Sequence, residues 1–187
     1  MEAPFPGLHW PGAGLILTPM KTTGVALALI LIAAPAVAFD VPQSRPEFVK
    51  AVSKGARGAT METFTAGHDF ETIYRLVEKK AAACLDVTVQ RTAYVGYVER
   101  SSSDYNPTVR RTGNGRGEFA LQVIHRPRAV GEKTAAGGLY IMAADMRSLG
   151  GGRTEILFYQ PTIGHKKVVR SVRTWLSGED APCPKMK

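Results

Sequence analysis

The sequence predicts an α+β fold: a two-layer sandwich in which an antiparallel sheet of about five strands carries its helices on one face. Three observations point there. Apolar residues at 70, 73, 74, 77, 81 and 84 repeat with the period of an amphipathic helix. Two glycine-rich turns, Gly113-Asn-Gly-Arg-Gly117 and Gly150-Gly-Gly-Arg153, each separate stretches of strand-forming residues, as hairpins do. The helix-strand alternation that a parallel sheet requires is missing, so hairpin-connected strands beside flanking helices are left. With 187 residues, 44% of them hydrophobic and 21% charged, the chain is long and apolar enough for one folded domain and is not a disordered polymer.

The elements follow in order. Ser44-Arg-Pro-Glu47 has the form of a capping box, and Phe48, Val49 and Val52 give the short helix behind it an apolar stripe ending near Gly55. Ala59 to Ala66, rich in threonine, reads as a first strand. Asp69 is placed to cap the main helix from Phe70 to Cys84. Glu71 near its start and Lys79-Lys80 toward its end suit the helix dipole.

From Asp86 the period becomes two, with Val87, Val89, Ala93, Val95 and Tyr97 on one face of a long strand. The polar run Ser101-Ser-Ser-Asp-Tyr-Asn-Pro107 is expected to end it as a loop. Thr108 to Thr112 and Glu118 to His125 form a hairpin about Asn114-Gly115, with Phe119, Leu121 and Val123 facing the core. A loop from Arg126 to Gly138 leads to strands at Leu139 to Met146 and Thr154 to Gln160. The last helix, His165 to Leu176 with Gly178 as its stop, carries Val168, Val169, Val172, Trp175 and Leu176 on one face.

Residues 1–38 read as a targeting segment. Lys21 precedes the apolar run Gly24 to Ala34; Pro35 breaks it, and Ala36-Val-Ala38 supplies the small residues of a signal-peptidase site, so cleavage is expected between Ala38 and Phe39. The apolar stretch is too short for a spanning helix, and no stable membrane span is expected after processing. Residues 1–19 hold four prolines and a single charge at Glu2, which suggests that translation starts at Met20. The exported domain would then be residues 39–187, periplasmic or secreted. In an oxidising compartment the only two cysteines, Cys84 and Cys183, are expected to close as a disulfide.

Net charge is +8, and its distribution is uneven. Residues 39–104 hold nine basic and nine acidic side chains, 132–155 three and three, and 179–187 two and two. The excess lies in 105–131, where five arginines face Glu118 alone, and in 156–178, where Lys166, Lys167, Arg170 and Arg173 have no acid among them. Arg110, Arg111 and Arg116 of the hairpin and the four helix cations are therefore the candidate anion-binding residues, for an anionic envelope component or an acidic protein. Export makes nucleic acid an unexpected partner.

Motifs for chemistry are sparse. His68, His125 and His165 fit no metal-binding spacing, no Gly-x-Ser-x-Gly elbow occurs, and neither glycine-rich turn leads from a strand into a helix as a phosphate-binding loop must. Neither a catalytic residue nor a metal or other cofactor is predicted.

The run Phe70-Glu-Thr-Ile-Tyr-Arg-Leu-Val-Glu-Lys-Lys-Ala-Ala-Ala-Cys84 resembles the opening helix of many small uncharacterised bacterial envelope proteins and lipoproteins, mainly over residues 60–90. The resemblance implies an envelope location and this type of fold, and no activity; the lipobox cysteine of the lipoproteins is absent. The strand-helix-sheet-helix order is also similar to helix-grip, START-like domains, which implies an alternative function as a carrier of an apolar ligand in a cavity closed by the C-terminal helix. The expected function is otherwise that of a soluble, non-catalytic binding or envelope-maintenance module with a basic face.

Overall fold

The computed structural model describes residues 41–56, 58–94, 98–127, 133–161 and 164–186. The expected signal segment, cleavage site and Met20 start lie outside these residues, as do Val95 and Tyr97 of the expected long strand. The elements are α1 (Arg45–Ser53), β1 (Ala59–Ala66), α2 (Phe70–Cys84), β2 (Val87–Tyr94), β3 (Val98–Gly113), β4 (Arg116–Arg126), β5 (Leu139–Gly150), β6 (Arg153–Pro161) and α3 (Lys166–Leu176). All six strands join one antiparallel sheet in the order β1-β6-β5-β4-β3-β2.

α2 follows its apolar spacing residue for residue: Phe70, Ile73, Tyr74, Val77, Ala81 and Cys84 are all buried. Asp69 caps it, accepting from the Thr72 amide at 2.9 Å and the Thr72 hydroxyl at 2.7 Å. These donors, the amide foremost, hold the Asp69 carboxyl below its usual range. α3 buries Val168, Val172, Trp175 and Leu176 against the same face of the sheet, where they meet Phe119, Leu121, Met142, Ala144, Ile156 and Phe158. The interlayer is closed, with Trp175, Phe119 and Phe158 fully buried.

The sheet has six strands, and its helices divide between two faces. α2 and α3 share one face, as expected of the helical layer. α1 lies on the other, where Phe48 and Val52 pack with Ala143 and Tyr159. The cause is in β5, where Tyr140, Ile141, Met142, Ala143 and Ala144 run without polar alternation: a strand covered on both faces needs apolar residues at successive positions. Arg45, at the first turn of α1, fastens the helix down. It donates to the Ala144 carbonyl at 2.9 Å, pairs with Asp145, and lies 3.4 Å from Glu118. The Tyr159 hydroxyl donates to Asp145 at 3.0 Å, and burial, reinforced by that carboxylate, pushes the phenol up to about 12.

The second difference from expectation is the polar run 101–107, which is strand and not loop. β3 pairs Ser101 with Arg91 and Tyr105 with Val87 on one side, and Ser103 with His125 on the other. Pro107 is tolerated because the β2 ladder stops at Tyr105, leaving that side of β3 an edge where a missing amide costs no ladder bond. Tyr105 is buried in the core, while Ser101 and Ser103, on the same face, are half-exposed. Their polarity reports solvent, not backbone conformation.

Both glycine-rich segments are hairpin turns, one between β3 and β4 with Gly115 at φ +62°, the other between β5 and β6. A different glycine is needed for close approach. Gly138, at φ +97°, passes so near β4 that a Cβ there would fall 2.2 Å from the Val123 carbonyl oxygen. Gly138→Ala is therefore expected to lower stability by at least about 1–3 kcal/mol, the range of a strained backbone conformation, since the obstacle is backbone and cannot rotate away. Chemical denaturation checks this; a loss under about 0.5 kcal/mol, the scale of an ordinary surface substitution, contradicts it.

The disulfide forms as expected. Cys84, the last residue of α2, is bonded to Cys183, 99 residues on. It pins the C-terminal tail, which is also held by the Lys80 ammonium and the Trp175 indole N–H, each donating to the Ala181 carbonyl, at 2.9 and 3.0 Å, and by the Lys80–Asp180 ion pair.

Candidate functional site

Where β3 enters the sheet and β4 leaves it, both strands run on beneath the first turn of α3, and the C-terminal tail crosses beside them. These elements enclose an open cleft of about 630 Å³. β2 contributes Arg91, β3 contributes Glu99, Ser101, Ser102, Ser103 and Tyr105, and β4 ends there with His125 and Arg126. α3 and the residue before it supply His165, Lys166, Lys167 and Val168; the tail supplies Lys185 and Met186.

Antiparallel pairing sets the floor. Ser103 and His125 are direct cross-strand partners, and Ser103 Oγ and His125 Nδ1 share a hydrogen bond of 3.0 Å. Tyr105, two residues along the same face, places its hydroxyl 3.5 Å from His165 Nδ1, and the two rings meet edge to face at 5.8 Å. His165 precedes α3 in the left-handed conformation, φ +46°, and its side chain does not cap the helix, so the imidazole is turned toward β3. Burial is the main cause that lowers the His165 pKa, with His125 and Arg91 adding positive charge to the same end. Arg126 reaches Asp104 on the opposite face of β3 at 2.9 Å. Thr88 first, then Arg126, keeps the Asp104 carboxyl ionised to lower pH than usual.

Four cationic side chains besides Arg126 line the cleft, namely Arg91, Lys166, Lys167 and Lys185, against one carboxylate, Glu99. A lining of this sign favours anions electrostatically, more in a recess than on open surface. The serine hydroxyls and the imidazoles are hydrogen-bonding partners for anion oxygens. Ser103 and His125 resemble a nucleophile and base by distance, yet among the described residues no carboxylate orients the imidazole from its other nitrogen, as an activated pair requires. No three His, Cys, Asp or Glu side chains converge as metal ligands among the described residues.

The seven cations singled out in the sequence do not meet on one surface. Lys166 and Lys167 line the cleft. Arg170 is exposed one turn further along α3. Arg173, beyond it, is tied to Glu62 of β1 at 3.0 Å and lies over the Phe64 ring at 5.0 Å. The hairpin arginines are at the far end of β3, roughly 20–30 Å from Ser103 at about 3.3 Å per residue. Arg110 and Arg111 point to opposite faces, as successive strand residues must. Arg110 pairs with Glu118 at 2.8 Å on the α1 side. Arg111 forms two 2.7 Å bonds to Glu71 and stacks 4.3 Å from the Tyr74 ring centre. Arg116 is exposed beside the turn, opposite Arg147 of β5.

Sequence reasoning thus found two of the cleft's cations and missed the rest. Ser101 and Ser103 have the composition of a loop, and Arg91 and Lys185 lie in segments whose charges balance. The available signal was the period-two pattern of Ser101, Ser103 and Tyr105, which places three cleft residues on one strand face. Among the described residues no helix is long and apolar enough to cross a membrane. No protein-family model matches the chain, and no curated protein matches it in sequence.

Proposed function

We propose that this is an exported, non-catalytic binding module, periplasmic or secreted, that takes an anionic ligand in the cleft between β3, β4 and α3. The observation that carries the reading is the convergence of Lys166, Lys167 and Lys185 on one recess from two chain segments, with Arg91 beside them and Glu99 the single carboxylate in its lining. A disulfide joining α2 to the tail supports export, because such bonds persist in oxidising compartments. The anionic partner sought for the basic segments is thereby assigned to Lys166 and Lys167, with Arg170 at the margin. Arg110, Arg111 and Arg173 have structural work in ion pairs.

Carriage of an apolar ligand under the C-terminal helix has less support, since Trp175, Val172, Ile156 and Phe158 fill the layer such a ligand would occupy.

The test is titration with inorganic pyrophosphate at low salt, followed by calorimetry. Lys166→Glu, Lys167→Glu and Lys185→Glu together are expected to weaken binding at least about tenfold, since reversing charges in a recess turns attraction into repulsion. Arg110→Glu with Arg116→Glu, at the far end of the sheet, should change it less than about twofold once ionic strength is matched. Equal effects from the two variants, or binding insensitive to salt, would overturn the assignment.

A further inference from the structure

The cleft holds two imidazoles, His125 and His165, among its cations. Resting on the anion-binding reading above, we infer that the cleft takes a phosphate monoester as its dianion and takes up a proton on His165 as the ligand enters.

The charge of the lining argues for two negative charges. Lys166, Lys167 and Lys185 exceed Glu99 by two, so a dianion balances the recess where a singly charged ligand leaves it positive. The remaining surface argues for an ester carrying a small organic body: Val168, Met186 and Pro127 offer apolar contact beside the hydroxyls of Ser101 and Ser103.

The proton follows from what surrounds His165. Tyr105 and Glu99 face the cleft from β3, His125 and Arg126 from β4, Arg91 from β2, Lys166 and Lys167 from α3, and Lys185 from the tail. Without a ligand, burial foremost and then repulsion from the His125 and Arg91 side hold the His165 pKa below that of a free histidine. A dianion against Lys166 and Lys167 offsets the positive field at the adjoining ring and raises its proton affinity. Proton uptake then spans the interval from the depressed value of the empty cleft to the raised value of the filled one. Within that interval binding tightens as pH falls; outside it the linkage vanishes.

The experiment uses the processed, disulfide-bonded protein and benzene-1,3-disulfonate, a dianion whose charge is fixed across the range. Calorimetry at pH 6.5 is repeated in cationic buffers of different ionisation enthalpy, so that the buffer itself does not compete. The expected result is a binding enthalpy that varies with buffer, reporting uptake of a fraction of a proton, and affinity that rises toward pH 5.5. His165→Asn, a residue that accepts the left-handed backbone at this position, should bind with uptake abolished. Binding with no buffer dependence, or uptake that persists in His165→Asn, overturns the inference and leaves the anion-binding reading standing. Absence of any dianion binding overturns both.

Glycerol 3-phosphate and vesicles of phosphatidic acid in phosphatidylcholine present the same group free and as a headgroup. Displacement of the disulfonate by the soluble ester identifies a free ligand, and displacement by vesicles alone identifies a headgroup. Displacement by neither excludes the monoester.

Discussion

Trp175→Ala is expected to cost about 3–5 kcal/mol, the largest loss of any single truncation considered. The indole is fully buried in the layer between α3 and the sheet, so its removal forfeits apolar burial and leaves a void that rigid strands on one side cannot collapse to fill. It also removes the 3.0 Å hydrogen bond by which the ring holds the Ala181 carbonyl, although Lys80 still donates to that oxygen. Trp175→Phe separates the two contributions: most of the volume is kept and the hydrogen bond is lost, so about 1–2 kcal/mol is expected from the latter with partial repacking. Urea denaturation followed by circular dichroism reads both. A Trp175→Ala loss below about 1.5 kcal/mol would mean the interlayer is far softer than its burial implies.

Replacing Cys84 and Cys183 together by alanine is expected to cost about 2–4 kcal/mol. The bridge closes a loop of 99 residues that contains β2 to β6 and α3, so its removal frees the unfolded chain far more than it disturbs native contacts. Comparison of oxidised and reduced protein in urea supplies the number. A loss under about 1 kcal/mol, with native contacts of the tail retained, would show that the Lys80 and Trp175 bonds to Ala181 suffice to hold the chain end.

The helices were legible because each one's apolar face comes from its own residues. All six positions of α2 picked by spacing are buried, and Asp69 caps it by the atoms its chemistry offers. The hairpin turns were legible for the same local reason. The placement of α1 was written in the unbroken apolar run of β5, but a run of that kind says that two covers exist without saying which helices provide them.

The cleft was hidden for two reasons. Its strand portion is polar where it faces solvent, so Ser101 to Pro107 carries loop composition on extended backbone. Its register is also irregular. Counting back from Gly113 opposite Arg116 pairs Ser103 with Arg126, whereas the bulge between Arg111 and Gly113 shifts the ladder by one and brings His125 opposite Ser103. A one-residue shift exchanges the faces, and nothing local to residues 101–107 announces it.

The bridge at Cys183 also has a consequence for the proposed anion site. A lysine on a tail outside helix and strand ordinarily samples a large volume and contributes little at any one point. Here Lys185 lies two residues beyond a covalently fixed sulfur, so its backbone strays at most about 7 Å from that anchor. The tether acts as a local concentration: the backbone that carries this ammonium is held near the recess whether or not an anion is present, and that part of the ordering is met at oxidation.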